Sequence, residues 1–228
     1  GVRGVDHWVI DEAGNAWAGM GYHDEKWTFV WHTAPDRPWK RRDQLGRRDA
    51  EIYPLAMMPD RRQLVVLDRA HGNTTQLATF DLAAETLAAI FRHEAVDVIG
   101  CLRWGFKQEP CAALYETDRS RRHFFQPEAE QCYRSVSAAL PDTDLWLTSF
   151  SRDNQRVVVQ AENDRDPGSF FLLDRSTGQL GVIGAARSAL PPESSAPSRV
   201  FDLTSRDGMK LSGRITLPIE TKRPPLIV

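Results

Sequence analysis

One polar-turn-then-apolar-strand pattern recurs along this chain at a steady interval. Asp11-Glu-Ala-Gly-Asn-Ala-Trp-Ala18 sets the form. Asp60-Arg-Arg-Gln-Leu-Val-Val-Leu67 and Arg152-Asp-Asn-Gln-Arg-Val-Val-Val159 restate it, and Phe106-Lys-Gln-Glu-Pro-Cys-Ala-Ala-Leu114 does so more loosely. With Asn15, Gln63, Glu109 and Gln155 taken as equivalents, the steps are 48, 46 and 46 residues. A period of about 40–50 residues, made of short strands with no long helix, is the length of a β-propeller blade. A single blade cannot bury both faces of its sheet, so blades stack around an axis. The expected fold class is therefore all-β, a partial β-propeller of about four blades, with bounds near 1–48, 49–94, 95–141 and 142–187.

Strand signals fill these units. His7-Trp-Val-Ile10, Asn15-Ala-Trp-Ala-Gly-Met20 and Trp27-Thr-Phe-Val-Trp-His32 are aromatic and β-branched runs between Gly, Asp and Asn turns. Pro38-Trp-Lys-Arg41 reads as the outer strand of the first unit. The second unit reads as strands at 52–57, 63–67, 76–80 and 86–91; its alanines and leucines at 82–90 suit a helix, but the repeat position favours a turn at 82–85. The third unit reads as strands at 97–102, 111–115 and 123–125, then a helical turn or an irregular strand over 129–140. The fourth reads as strands at 145–150, 156–160, 169–173 and 179–183, the last two joined by the five-residue turn Asp174-Arg-Ser-Thr-Gly178. Val157, Val158 and Val159 are expected on a central strand with both faces covered.

Composition sets limits on function. Of 228 residues, 41% are hydrophobic and 26% charged, the balance of a globular domain. A formal charge of −2 argues against a nucleic-acid partner, and the basic clusters Lys40-Arg41-Arg42, Arg47-Arg48 and Arg119 to Arg122 read as solvated surface. No run of 18 apolar residues exists to span a membrane. A soluble protein of cytoplasm or periplasm fits equally, so the compartment stays open. Cys101, Cys111 and Cys132 have no zinc-like spacing and read as buried free thiols, although one bridge is compatible with three cysteines.

After the fourth unit the composition shifts. Ser188 to Ser198 holds three prolines and four serines in eleven residues, a linker. Beyond it, 200–204 and 210–217 form a hairpin turning on Asp207-Gly208, and Pro224-Pro-Leu-Ile-Val228 opens another apolar strand.

Several of these segments resemble the prolyl oligopeptidase family of serine peptidases, above all its acylaminoacyl-peptidase and dipeptidyl-peptidase-like branch. They are His7-Trp-Val-Ile-Asp11 with Gly14, then Asp97-Val-Ile-Gly100, then Asp164-Arg-Asp-Pro-Gly168 followed by Phe170-Phe-Leu-Leu-Asp174. Arg206-Asp-Gly208, Ile215-Thr-Leu-Pro218 and Pro225-Leu-Ile-Val228 resemble the first strands of the family's α/β-hydrolase domain. The resemblance implies a propeller that gates short peptides or acyl-peptides to a catalytic domain beginning at about 199. It implies no cofactor. In the family the oxyanion segment, nucleophile elbow, Asp and His follow strands like the last one, so no catalytic residue is carried over and this chain alone is expected to be inactive. An open arc of four blades implies a homo-oligomer, aggregation or dependence on further segments, unless the four blades tighten into a complete small ring. The alternative is a non-catalytic propeller that binds a protein or peptide, which gives no reason for the hydrolase-like tail.

The side chains themselves nominate no catalytic group, no metal set and no defined substrate-binding residue. No Gly-x-Ser-x-Gly elbow occurs; Ser169 opens a strand and Ser205 precedes a hairpin. His7, His23, His32, His71, His93 and His123 show no metal-ligand spacing and read as loop or blade-surface residues, His71 on an exposed turn. Trp8, Trp17, Trp27, Trp31, Trp104 and Trp146 read as blade packing rather than as a ligand platform. The acidic segment Glu162-Asn-Asp-Arg-Asp166 reads as a capped turn, with capture of a substrate amine as its rival.

Overall fold

The computed structural model describes residues 2–45, 50–190 and 192–219. It divides into two compact units, residues 1–131 and 132–228. Both are built from antiparallel meanders, as an all-β partial propeller requires. The first unit holds a four-stranded sheet of β1 (His7–Ile10), β2 (Ala16–His23), β3 (Lys26–Trp31) and β4 (Lys40–Leu45). A second sheet follows with β5 (Ile52–Met57), β6 (Gln63–Asp68), β7 (Gln76–Asp81) and β8 (Leu87–Phe91). The third has only three strands, β9 (Val98–Trp104), β10 (Glu109–Glu116) and β11 (Ser120–Phe124).

Where a fourth strand of the third sheet would fall, the chain forms α1 (Pro127–Ala139), which crosses the boundary of the units. The sequence left this segment between a helical turn and a strand; the helix wins over more than three turns. Pro127 supplies a first position that lacks only an N–H with no intrahelical partner, and Glu128 and Glu130 lie where the helix dipole favours acids. Ala129, Cys132 and Val136 form its buried stripe.

The second unit holds the sheet β12 (Asp144–Phe150), β13 (Arg156–Glu162), β14 (Ser169–Asp174) and β15 (Gln179–Ala185). A separate hairpin of β16 (Ser198–Thr204) and β17 (Lys210–Thr216) follows. Its turn closes through Ser205 N–H to Met209 O (2.8 Å) and Gly208 N–H to Ser205 O (3.0 Å), with Gly208 at φ 86°. The turn therefore sits at Asp207-Gly208, as its sequence requires. A short 3₁₀ turn at Pro192–Ser194 interrupts the linker. The Pro224-to-Val228 strand and the Arg47-Arg48 cluster lie outside the described residues.

Two apolar layers hold the first unit together. Val9, Trp17, Met20, Phe29 and Trp31 of the first sheet meet Leu64, Val66 and Phe80 of the second. On the opposite face of the second sheet, Val65, Leu67 and Leu77 pack with Val98 and Ala113 of the third. Strand β6 is thus covered on both sides, which is what stacked blades demand of a middle sheet. Close approach of the N-terminal segment to β2 explains Gly21, because a Cβ there would lie 2.1 Å from the Gly4 carbonyl oxygen.

Two strand expectations are corrected. The first outer strand begins at Lys40 instead of Pro38, whose ring nitrogen has no hydrogen to give a ladder. The valines of β13 are not covered on both faces: Val157 and Val159 are buried while Val158 is half-buried, an alternation of one packed and one open face. The turn at 82–85 forms as the repeat indicates, with Asp81 Oδ1 accepting the Ala83 and Ala84 N–H groups and Glu85 at φ 60°.

Candidate functional site: a cavity at the strand ends of three sheets

The repeat proves to be a turn geometry. The N–H groups of Gly14, Arg61, Gln108 and Asn154 donate to the carbonyls of Asp11, Met58, Gly105 and Ser151, at 3.0, 2.9, 3.0 and 2.9 Å. All four donors have positive φ, at 85°, 56°, 56° and 57°. Each turn joins the first and second strand of its sheet. In the first unit, β5 neighbours both β1 of the first sheet and β9 of the third. Their carboxyl ends and the first three of these turns line an open cavity of about 580 Å³, walled by residues 8–12, 56–59, 61, 103 and 106–109.

Its walls combine apolar surface with charge. Trp8, Met57 and Met58 are half-buried, and Phe106 stands 52% exposed at the rim. The acids are Asp11, Glu12 and Glu109; the bases are Arg61, Arg103 and Lys107. Asp11 is fully engaged. Its Oδ1 accepts the Ala13 and Asn15 N–H groups (both 2.9 Å), and its Oδ2 accepts Asn15 Nδ2 (3.2 Å) and the Trp17 indole N–H (2.9 Å). Desolvation pushes its pKa up, but these four bonds outweigh it and hold the carboxyl down at about 2. Arg61 reaches Glu12 across two turns at 3.5 Å. Arg103 Nη2 donates to the Leu55 carbonyl at 2.8 Å. Among the described residues, Lys107 and Glu109 have no ion-pair partner.

Arg61 is out of keeping with its position. The left-handed region costs a non-glycine residue about 1–2 kcal/mol. Gly14 pays nothing there, asparagine tolerates it, and Gln108 compensates by returning its amide Nε2 to the Gly105 carbonyl at 2.9 Å. Among the described residues, the Arg61 side chain has only the pairing with Glu12, both side chains 48% exposed. An ion pair so open contributes about 0.2–1 kcal/mol at most. The turn by itself does not account for arginine here.

Of the candidate residues in the sequence, Trp8 lines this cavity, half-buried; the others lie elsewhere and are mostly committed to structure. Ser169 Oγ donates to Asp166 Oδ2 at 2.9 Å, and Ser205 Oγ to Asp207 Oδ1 within its turn. Neither has a histidine partner among the described bonds. In the acidic segment, Asn163 Oδ1 accepts the Arg165 and Asp166 N–H groups, Asp166 Oδ1 accepts the Gly168 N–H, and Glu162 Oε1 accepts the Trp146 indole. Asp164 Oδ2 accepts the Ser198 N–H at 2.6 Å. These contacts favour the capped turn over amine capture. His32, expected on a surface, is buried between the rings of Trp17 and Trp39. His71 is exposed as expected, but its Nδ1–H donates to the buried Asp68 carboxylate at 3.0 Å, which also accepts Gln76 Nε2 at 2.6 Å. No motif marks Asp68, because its role depends on the loop folding back.

Cys101, Cys111 and Cys132 are free thiols; Cys111 and Cys132 are buried as expected, whereas Cys101 is half-buried. Burial pushes Cys101 and Cys111 up to about 11 and about 12. No group of three or more His, Cys, Asp or Glu side chains among the described residues is placed to hold a metal ion. No helix among them is long and apolar enough to cross a membrane.

No protein-family profile matches the chain. A curated relative, dipeptidyl aminopeptidase BIII of Pseudoxanthomonas mexicana, is 23% identical over 181 residues, covering 79% of this chain and 26% of that protein. A puromycin hydrolase structure aligns over 94% of this chain and 34% of its own, with TM-score 0.57 and 21% identity. A puromycin-hydrolyzing peptidase of Mycobacterium tuberculosis aligns over 100% and 36%, with TM-score 0.58 and 14% identity. Prolyl endopeptidases align with TM-score 0.55 at 14% identity. The chain therefore spans about a quarter of the curated relative and about a third of these solved chains. The structural neighbours are peptidases of the prolyl oligopeptidase family, so the resemblance read from the residues is borne out. What the solved structures share with this chain is the fold.

Proposed function

We propose that this chain is the substrate-gating propeller portion of a prolyl-oligopeptidase-type serine peptidase that hydrolyses short peptides, with residues 199–228 beginning its α/β-hydrolase domain. One observation carries the reading. Peptidase structures cover 93–100% of this chain with about a third of their length, and the meander sheets are followed by a separate two-stranded hairpin. A serine peptidase needs an activated hydroxyl and preorganised N–H donors for the tetrahedral oxyanion. Ser169 and Ser205 are committed to turns, so in this reading the nucleophile belongs to a part of the protein other than residues 1–228. The propeller's contribution is steric: it admits chains thin enough to enter between strand ends and keeps folded proteins and bulk water from the reacting carbonyl.

The test is to express the complete reading frame that encodes this chain and treat it with a fluorophosphonate probe. The expected result is one labelled serine outside residues 1–228, and turnover of a dipeptidyl chromogenic substrate that labelling abolishes. A protein without label or turnover that still binds peptides would establish the non-catalytic propeller instead. Label on Ser169 or Ser205 would overturn both readings.

A further inference from the structure

The gating proposal leaves open what the cavity recognises, and its charges are not balanced in availability. Asp11 is taken up by four donors, and Glu12 is held by Arg61. Arg103 gives one bond to a backbone carbonyl and Lys107 gives none among the described residues. Two cations without a carboxylate partner therefore face one free acid, Glu109. An anionic group is the complementary ligand. The neighbouring Trp8, Met57 and Phe106 offer apolar surface for a side chain beside that anion. A volume of about 580 Å³ suits a few residues of extended peptide and excludes a folded partner.

We infer that this cavity captures the free C-terminal carboxylate of a short peptide whose last side chain is apolar, with Arg103 and Lys107 holding the carboxylate and Arg61 closing over it. This assigns a role to the anomalous arginine. A left-handed arginine is retained because its guanidinium, released from the loose 3.5 Å contact with Glu12, supplies a third donor at the cavity mouth. The consequence for turnover rests on the peptidase reading; the binding itself does not.

Calorimetric titration of the 228-residue chain with Ala-Ala-Ala-Leu as free acid, as C-terminal amide and as the N-acetylated acid tests the inference. The expected result is at least tenfold tighter binding of the acid than of the amide, with little effect of acetylation. Lys107→Gln should weaken the acid several-fold and leave the amide unchanged. Arg61→Gly is the more telling variant: relieved of its backbone strain it should melt higher than the parent chain yet bind the acid more weakly, which a purely structural arginine would not do. Equal binding of acid and amide, no binding of any peptide at millimolar concentration, or loss of binding on acetylation would overturn the proposal, the last placing the peptide amine on Glu109. None of these readouts requires turnover, so a failed peptidase assay and a failed cavity assignment remain distinct.

Discussion

Two valines on the second strands of different sheets should differ sharply in what they contribute. Val65, on β6 in Gln-Leu-Val-Val-Leu, is fully buried and packs with Leu67, Leu77, Val98 and Ala113 between the second and third sheets. Val158, on β13 in Arg-Val-Val-Val-Gln, is half-buried. Val65→Ala removes two methyl groups, worth about 1.6 kcal/mol at about 0.8 kcal/mol each. The cavity left in a layer covered from both sides adds roughly 1 kcal/mol, because neither sheet can close alone. The expected loss is about 2–3 kcal/mol for Val65→Ala and under about 1 kcal/mol for Val158→Ala. Urea unfolding followed by tryptophan fluorescence measures both, with the slope checked for constancy. In thermal melting the first variant should fall by about 10 °C and the second by a few degrees at most. Equal losses, or a Val65 variant within about 0.5 kcal/mol of the parent, would refute the assignment of β6 to a strand packed on both faces.

Three other outcomes follow from the turns and thiols. Asp11 has a folded pKa of about 2 against an ordinary 3.8, so its contribution is present above 3.8 and is lost as pH falls toward about 2. Asp11→Asn should therefore lower stability near neutrality and flatten the acid limb of stability against pH between those values. Gly178 occupies the left-handed position of the Asp174 turn at φ 72°, with open space around its missing Cβ, so Gly178→Ala should cost about 1 kcal/mol through backbone strain alone. Cys101 and Cys111, pushed up to about 11 and about 12, should resist a disulfide reagent at mildly alkaline pH until the chain is unfolded; rapid modification of both in the native protein would contradict their burial.

The sequence disclosed the repeat because its cause is local. A turn that needs one left-handed residue before a strand is written in Gly14, Asn154 and the polar residues around them, and the same logic marks Asp174 to Gly178 and Asp207-Gly208. Segment 127–139 stayed ambiguous because alanine-rich stretches with one β-branched residue suit either state, and the choice rests on burying Ala129, Cys132 and Val136 together. The burial difference between β6 and β13 was not legible at all: both read as unbroken valine and leucine runs, and only the presence of a sheet on each side separates them. The cavity lay further beyond reach. Its lining comes from three segments about 47 residues apart, so no window of sequence holds two of its walls.

Arg61 shows most clearly how a residue's meaning is set by conformation. In Asp60-Arg-Arg-Gln it is one of two adjacent arginines, indistinguishable from solvated surface charge. Arg62 has that bland role; its N–H closes on Asp60 Oδ1 at 2.9 Å as any residue's would. Arg61, one position earlier, takes the only backbone state in the turn that penalises a long side chain, while its equivalents in the other repeats are glycine, asparagine or a glutamine that repays the cost locally. Four copies of one turn thus serve as their own control. The copy that breaks the residue preference without a local remedy lines the cavity, where selection for recognition, rather than for folding, would leave such a mark.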